Sequence, residues 1–171
     1  MLNENFIRTI DIWIKELDRY DFIQLCTQPS PNSWSIGQVY IHLIDNTYYF
    51  IEQIKICIST NDNAMEEASP AAKEMFLNND FPDEILEGPA SNLDTAQPGS
   101  KEELVSCLLD LKDEIRELEI LFLKNAFNGK TKHPGLQFFN ANEWHQFAEM
   151  HFRHHLRQKK RIDDYLYMNK F

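Results

Sequence analysis

The stretch Asn140 to Tyr167, NANEWHQFAEMHFRHHLRQKKRIDDYLY, decides the fold. Taken in steps of three and four, Trp144, Ala148, His151, His155, Ile162 and Leu166 fall on one side of an α-helix, with charged residues on the other. Asn140 can cap that helix, with Glu143 reaching back as its partner, so the helix is expected to run from Asn140 to about Tyr167. Two imidazoles, His151 and His155, occupy a stripe otherwise made of Trp, Ala, Ile and Leu.

Three further segments have the same 3.6-residue period. In the first, Phe6, Ile10, Trp13, Ile14 and Leu17 form a stripe that ends near Tyr20, before the turn-rich Pro29-Ser30-Pro31. The second opens on Ser35-Ile36-Gly37-Gln38, a capping box flanked by Trp34 and Val39 as a hydrophobic staple. Its apolar face continues through Leu43, Phe50, Ile54 and Ile58. The third starts at Ser100, boxed with Glu103, and carries Leu104, Leu108, Leu111, Ile115, Leu118 and Phe122 before Gly129. No segment shows the sustained alternation of a half-buried strand. Residues 60–99 break the pattern with Pro70, Pro82, Gly88, Pro89, Pro98 and Gly99. Within them a short helix is expected near Ala71 to Leu77, and the segment is long enough to return the chain to the end where the second helix began. Such a long connection is often functional. The expected architecture is all-α, a four-helix bundle with a long crossover between its second and third helices, forming one domain over residues 1–171.

Composition supports one packed domain and removes several function classes. Of 171 residues 43% are hydrophobic, a core-forming fraction too large for a disordered chain. The formal net charge of −10 repels phosphate backbones, so no nucleic-acid partner is expected. No apolar run nears the roughly 20 residues a bilayer span needs, and no membrane partner is expected. The start, MLNENFIRTIDIW, has neither the basic segment nor the apolar run of an export signal, which points to the cytoplasm. Cys26, Cys57 and Cys107 are odd in number and widely spaced, which suits neither a disulfide framework nor a cysteine zinc site. Charge is segregated: residues 61–120 hold 16 acidic and 4 basic side chains, whereas Arg153, Arg157, Lys159, Lys160, Arg161 and Lys170 gather near the end. A helix dipole favours cations in its second half. Arg153 and Arg157 point away from the histidine stripe, as a solvated face or as a dock for the acidic connection.

His151 and His155 lie one turn apart, so their rings can converge on one ion. His42, beside Val39 and Asn46 at the edge of the second helix's stripe, offers a third imidazole. The pair alone also fits partly exposed histidines near a helix end, but burying unpartnered imidazoles on an apolar stripe is costly. Three imidazoles would leave at least one coordination position open on a divalent Zn, Ni, Fe or Mn ion. Asp45 and Asn46 stand close enough to reach the other ring nitrogen of His42, or form an ordinary solvated pair. His145 reads as surface or flank. His133, in Lys132-His133-Pro134-Gly135, matters only if that loop folds over the bundle mouth.

The run Ser33-Trp34-Ser35-Ile36-Gly37-Gln38-Val39 with His42-Leu43-Ile44-Asp45 resembles the second-helix motif of the DinB-like superfamily. Trp144-x6-His151-Phe152-Arg153-His154-His155-Leu156-Arg157-Gln158 resembles its fourth-helix motif. The resemblance covers essentially the whole chain, including helix order and the long connection. It implies a four-helix bundle whose metal ligands are His42, His151 and His155, with His154 outside the coordination sphere and packed between helices. It also implies a metal-dependent enzyme, either a hydrolase activating water or a transferase activating a low-molecular-weight thiol against a small-molecule electrophile, in detoxification or stress response. Relatives often pair as homodimers. The alternative expectation is a metal-binding bundle without turnover, acting as a stress-associated ligand-binding or interaction module. The sequence assigns no catalytic residue beyond the ligands.

Overall fold

The computed structural model describes residues 2–82, 95–124 and 126–168. Its elements are α1 (Leu2–Leu17), α2 (Phe22–Cys26), α3 (Ile36–Cys57), α4 (Pro70–Asn78), α5 (Lys101–Lys124), β1 (Lys130–His133), β2 (Gln137–Asn140) and α6 (Ala141–Met168). Gly88 and Pro89 of the connection, and Lys170 of the basic segment, lie outside the described residues.

The caps read from the sequence are formed. Ser35 accepts from the Gln38 amide while Gln38 Oε1 accepts from the Ser35 amide at 3.0 Å. Asn140 and Glu143 make the same reciprocal pair at 2.9 and 2.8 Å, and α6 starts at Ala141. At α5 the Glu103 amide donates to Ser100 Oγ at 3.0 Å, but the Glu103 carboxylate reaches the Gly99 amide, one residue further out than the box predicts. The short helix within the connection is present as α4, with Ser69 as its cap and Pro70 at the first turn.

Four helices make the bundle. α1 and α6 run parallel, as Trp13 donates from Nε1 to the Phe152 carbonyl at 3.2 Å and Lys159 reaches Glu16 at 2.6 Å further along both. α3 is antiparallel to α6, with Phe50 on Trp144 at one end and His42 on His151 at the other. α5 is antiparallel to α1, with Lys101 on the Tyr20 carbonyl and Asn3 on that of Ile115. Two helices therefore run one way and two the other, with α3 and α5 alike. That arrangement requires a connection the length of the bundle. The connection leaves beside Gly129, whose amide donates to the Cys57 carbonyl, and returns where Gln97 meets Ser35 and Pro98 abuts Gly37.

Trp13, Tyr40, Phe6, Phe152 and Trp144 are fully buried where the four helices meet. The Tyr40 hydroxyl donates to the Trp13 carbonyl at 2.7 Å, which satisfies the buried phenol. The expected stripes of α1, α3 and α5 face this core, with Ile14, Ile58 and Phe122 partly buried at its margin. Two features add to the four expected helices and the short one in the connection. The antiparallel hairpin β1–β2 pairs Lys130 with Asn140 through His133 with Gln137, and α2 is a capped five-residue helix. Neither strand alternates in sequence, β1 reading KTKH and β2 QFFN, so the period gives no signal for them. All three cysteines are free. Among the described residues no helix is long and apolar enough to cross a membrane.

Candidate metal centre

His42 comes from the second turn of α3, and His151 and His155 from consecutive turns of α6, where the two antiparallel helices pack. Their Nε2 atoms converge, with His151 Nε2 3.2 Å from that of His42 and 3.0 Å from that of His155. His155 is buried, and the other two are half-buried. Burial holds His42 at about 4 and His155 at about 3, with the facing His42 ring adding to the effect on His155; burial and its imidazole neighbours push His151 well below its usual value. All three rings are neutral at pH 7.

The convergence has a direct consequence for hydrogen bonding. Nε2 of a neutral imidazole offers one proton or one lone pair, so His151 Nε2 can complete an N–H···N bond to one neighbour and not to both. His151 Nδ1 is buried and, among the described residues, has no partner. A cation between the three nitrogens removes that conflict. Ligands about 2.0–2.1 Å from a tetrahedral zinc are about 3.3 Å apart, close to the spacing seen. The donor set fits a divalent ion of the Zn, Ni, Fe or Mn type.

Neighbouring side chains hold the rings. His155 Nδ1 donates to Gln158 Oε1 at 2.7 Å, which leaves its Nε2 lone pair facing the cluster. Asn46 Nδ2 lies 2.9 Å from His42 Nδ1 and donates to the His42 carbonyl at 2.8 Å. Of the pair Asp45 and Asn46, Asn46 is the one at the ring, and Asp45 is exposed. Aromatic rings surround the cluster. Trp34 lies on His42 with centroids 4.8 Å apart, Phe50 meets His151 edge-on at 5.7 Å, and Phe147 lies parallel to His151 at 6.4 Å. Phe81, from the connection, stands 6.4 Å from His151 and 5.3 Å from His154.

The other histidines separate clearly. His154 packs between Phe81 and Arg157, outside the cluster. The loop carrying His133 does fold over: the ring sits against Phe139, Trp144 and Phe147, and its Nδ1 accepts from the Gly135 amide at 3.1 Å. His145 corrects the reading from sequence. It is 2% exposed, wedged edge-on between Phe6 and Phe122, because α6 packs on α1 as well as on α3 and so buries more than one stripe. Sequence reasoning missed the roles of Gln158 and Phe81. Gln158 could have been found from its place one turn after His155, whereas Phe81 lies in a connection without periodicity.

The fold recurs in a solved structure. At 15% identity and a TM-score of 0.53, the chain superposes on YfiT from Bacillus subtilis, described as a probable metal-dependent hydrolase with an unusual four-helix bundle topology; the match covers 94% of this chain and 87% of that one. No curated protein matches the sequence. The model of the DinB superfamily matches residues 6–158, a span that includes all three converging histidines and the long connection. The chain belongs to the DinB superfamily.

Proposed function

We propose that this protein is a metal-dependent enzyme in which His42, His151 and His155 hold a divalent ion and leave part of its coordination sphere open to substrate. The observation that carries this reading is the meeting of three neutral Nε2 atoms, 3.0 and 3.2 Å about His151. A divalent ion held there supplies a Lewis acid that lowers the pKa of a water or thiol at neutral pH. The chain's own contribution is positional. Gln158 accepts from Nδ1 of His155 and so turns the Nε2 lone pair of that ring towards the cluster, and the lowered imidazole pKa values keep the His42 and His155 rings uncharged at pH 7. Trp34, Phe50, Phe81 and Phe147 form an apolar surround that keeps bulk water from the reacting group.

The reaction is hydrolysis, or transfer of a low-molecular-weight thiol to a small electrophile, in a cytoplasmic detoxification or stress response. YfiT's description as a probable metal-dependent hydrolase supports the first form. Pairing as a homodimer belongs to the same reading and is checked by sedimentation. Turnover is tested by assaying metal-loaded protein with activated esters, and with small thiols plus an electrophile, against His151→Ala. A rate at least 100-fold above that of the variant is expected; equal rates in both leave a metal-binding module without turnover.

A further inference from the structure

The connection passes the metal centre as a strap, Asn79-Asp80-Phe81, and α6 grips that strap from one face. Gln146 Nε2 donates to the carbonyl of Phe76 at 2.9 Å and to Asn79 Oδ1 at 3.0 Å. Two turns on, Arg153 Nη2 donates to the Asn79 carbonyl at 2.7 Å, while its Nε is held by both oxygens of the buried Glu149 at 2.8 Å. One further turn on, Arg157 Nη2 donates to Asp80 Oδ1 at 3.3 Å and to the Phe81 carbonyl at 3.1 Å. Asn79 takes the left-handed conformation, φ 51°, ending α4 and turning the chain under the two arginines. Phe81 is thereby pressed, 5% exposed, onto Phe147, His151 and His154. Guanidinium groups that donate to main-chain carbonyls fix a backbone, not only a charge.

We propose that Phe81 selects the ligands that reach the metal centre, favouring those with an aromatic or apolar group beside the coordinating atom, and that Arg153 and Arg157 are the positioning residues that seat it. The proposal rests on the metal reading above. Among the described residues Phe81 is the one ring at the cluster that comes from neither α3, α6 nor the segment before α3, so its placement depends on the clamp. An edge-to-face aromatic contact is worth about three- to tenfold in binding.

The test uses the whole chain loaded with Co(II), and reads thiol binding from the thiolate-to-cobalt absorption band. Phenylmethanethiol and 2-mercaptoethanol are compared, two thiols of similar acidity that differ in the group beside sulfur. The wild type is expected to prefer phenylmethanethiol. Phe81→Ala, and Phe81→Leu as a variant that keeps the space filled, should lower that preference about three- to tenfold. Arg157→Ala should lower it in the same direction with cobalt uptake unchanged, and Lys160→Ala should leave it alone. A preference equal in wild type and both Phe81 variants overturns the proposal. So does a preference that survives Arg157→Ala, since the clamp then does not seat the ring. A wild type that takes up no cobalt removes the metal reading and the proposal together, which separates the two failures.

Discussion

At the residue scale, His151 is the hub, since both short nitrogen contacts end on its Nε2. His42→Ala, His151→Ala and His155→Ala should each weaken metal binding by at least 100-fold, read by competition with a chromophoric chelator. His154→Ala, whose ring meets Phe81 edge-on outside the cluster, should change it less than threefold. The converging histidines of α6 were legible because imidazoles on an apolar stripe need a partner. His145 was not legible, because its burial depends on α1 and α5 meeting α6 from another side. It supplies a pH prediction of its own. Burial lowers His145 from its usual 6.5 to about 4. Between those values the unfolded chain binds the proton and the folded chain does not, so stability is fully present above pH 6.5 and falls as pH drops towards 4. His145→Leu should remove about 2 kcal/mol of that loss, measured as the difference in urea unfolding free energy between pH 7 and pH 4.5.

At the element scale, two joints fix how helices meet. Lys159 on α6, itself buried, reaches Glu16 of α1 at 2.6 Å and Asp163 at 2.7 Å, and Asp163 also accepts a hydrogen bond from the Tyr20 hydroxyl. Lys159→Ala removes the buried cation and leaves Asp163 with the Tyr20 hydroxyl and the more distant Arg19, 3.8 Å away, so it should cost about 2 kcal/mol in urea unfolding, while exposed Lys160→Ala stays within about 0.5 kcal/mol. Gly37 lies at the start of α3 where the connection returns. A Cβ there meets the Pro98 ring at 2.7 and 2.8 Å and the Leu25 carbonyl at 3.0 Å. Gly37→Ala gains about 1 kcal/mol of helix propensity, loses about 1–3 kcal/mol to overpacking, and should be destabilising overall by about 1 kcal/mol. Helix starts were legible to the residue at Ser35 and Asn140 because a capping box is a local hydrogen-bond pattern. α2 and the β1–β2 hairpin were not, since five- and four-residue elements depend on what they pack against.

At the scale of the whole molecule, the sequence called for a crossover long enough to start α5 at the same end as α3, and the chain makes that crossover. Of the two readings of Arg153 and Arg157, a solvated face or a dock for the acidic connection, the fold bears out the dock; that the connection carries Phe81 to the histidines was not legible. The formal charge of −10 likewise conceals a segregated arrangement, acidic in α5 and the connection and basic on α6. Three of the six histidines stay neutral in one place, with nitrogens that cannot all be satisfied by one another. The measurement that tests this most directly is metal content by inductively coupled plasma mass spectrometry, on protein purified without chelators and dialysed against mixed Zn, Ni, Fe and Mn. One divalent ion per chain is expected in the wild type and none retained in His151→Ala. A wild type without stoichiometric metal, or a His151→Ala variant that keeps it, would contradict the metal centre.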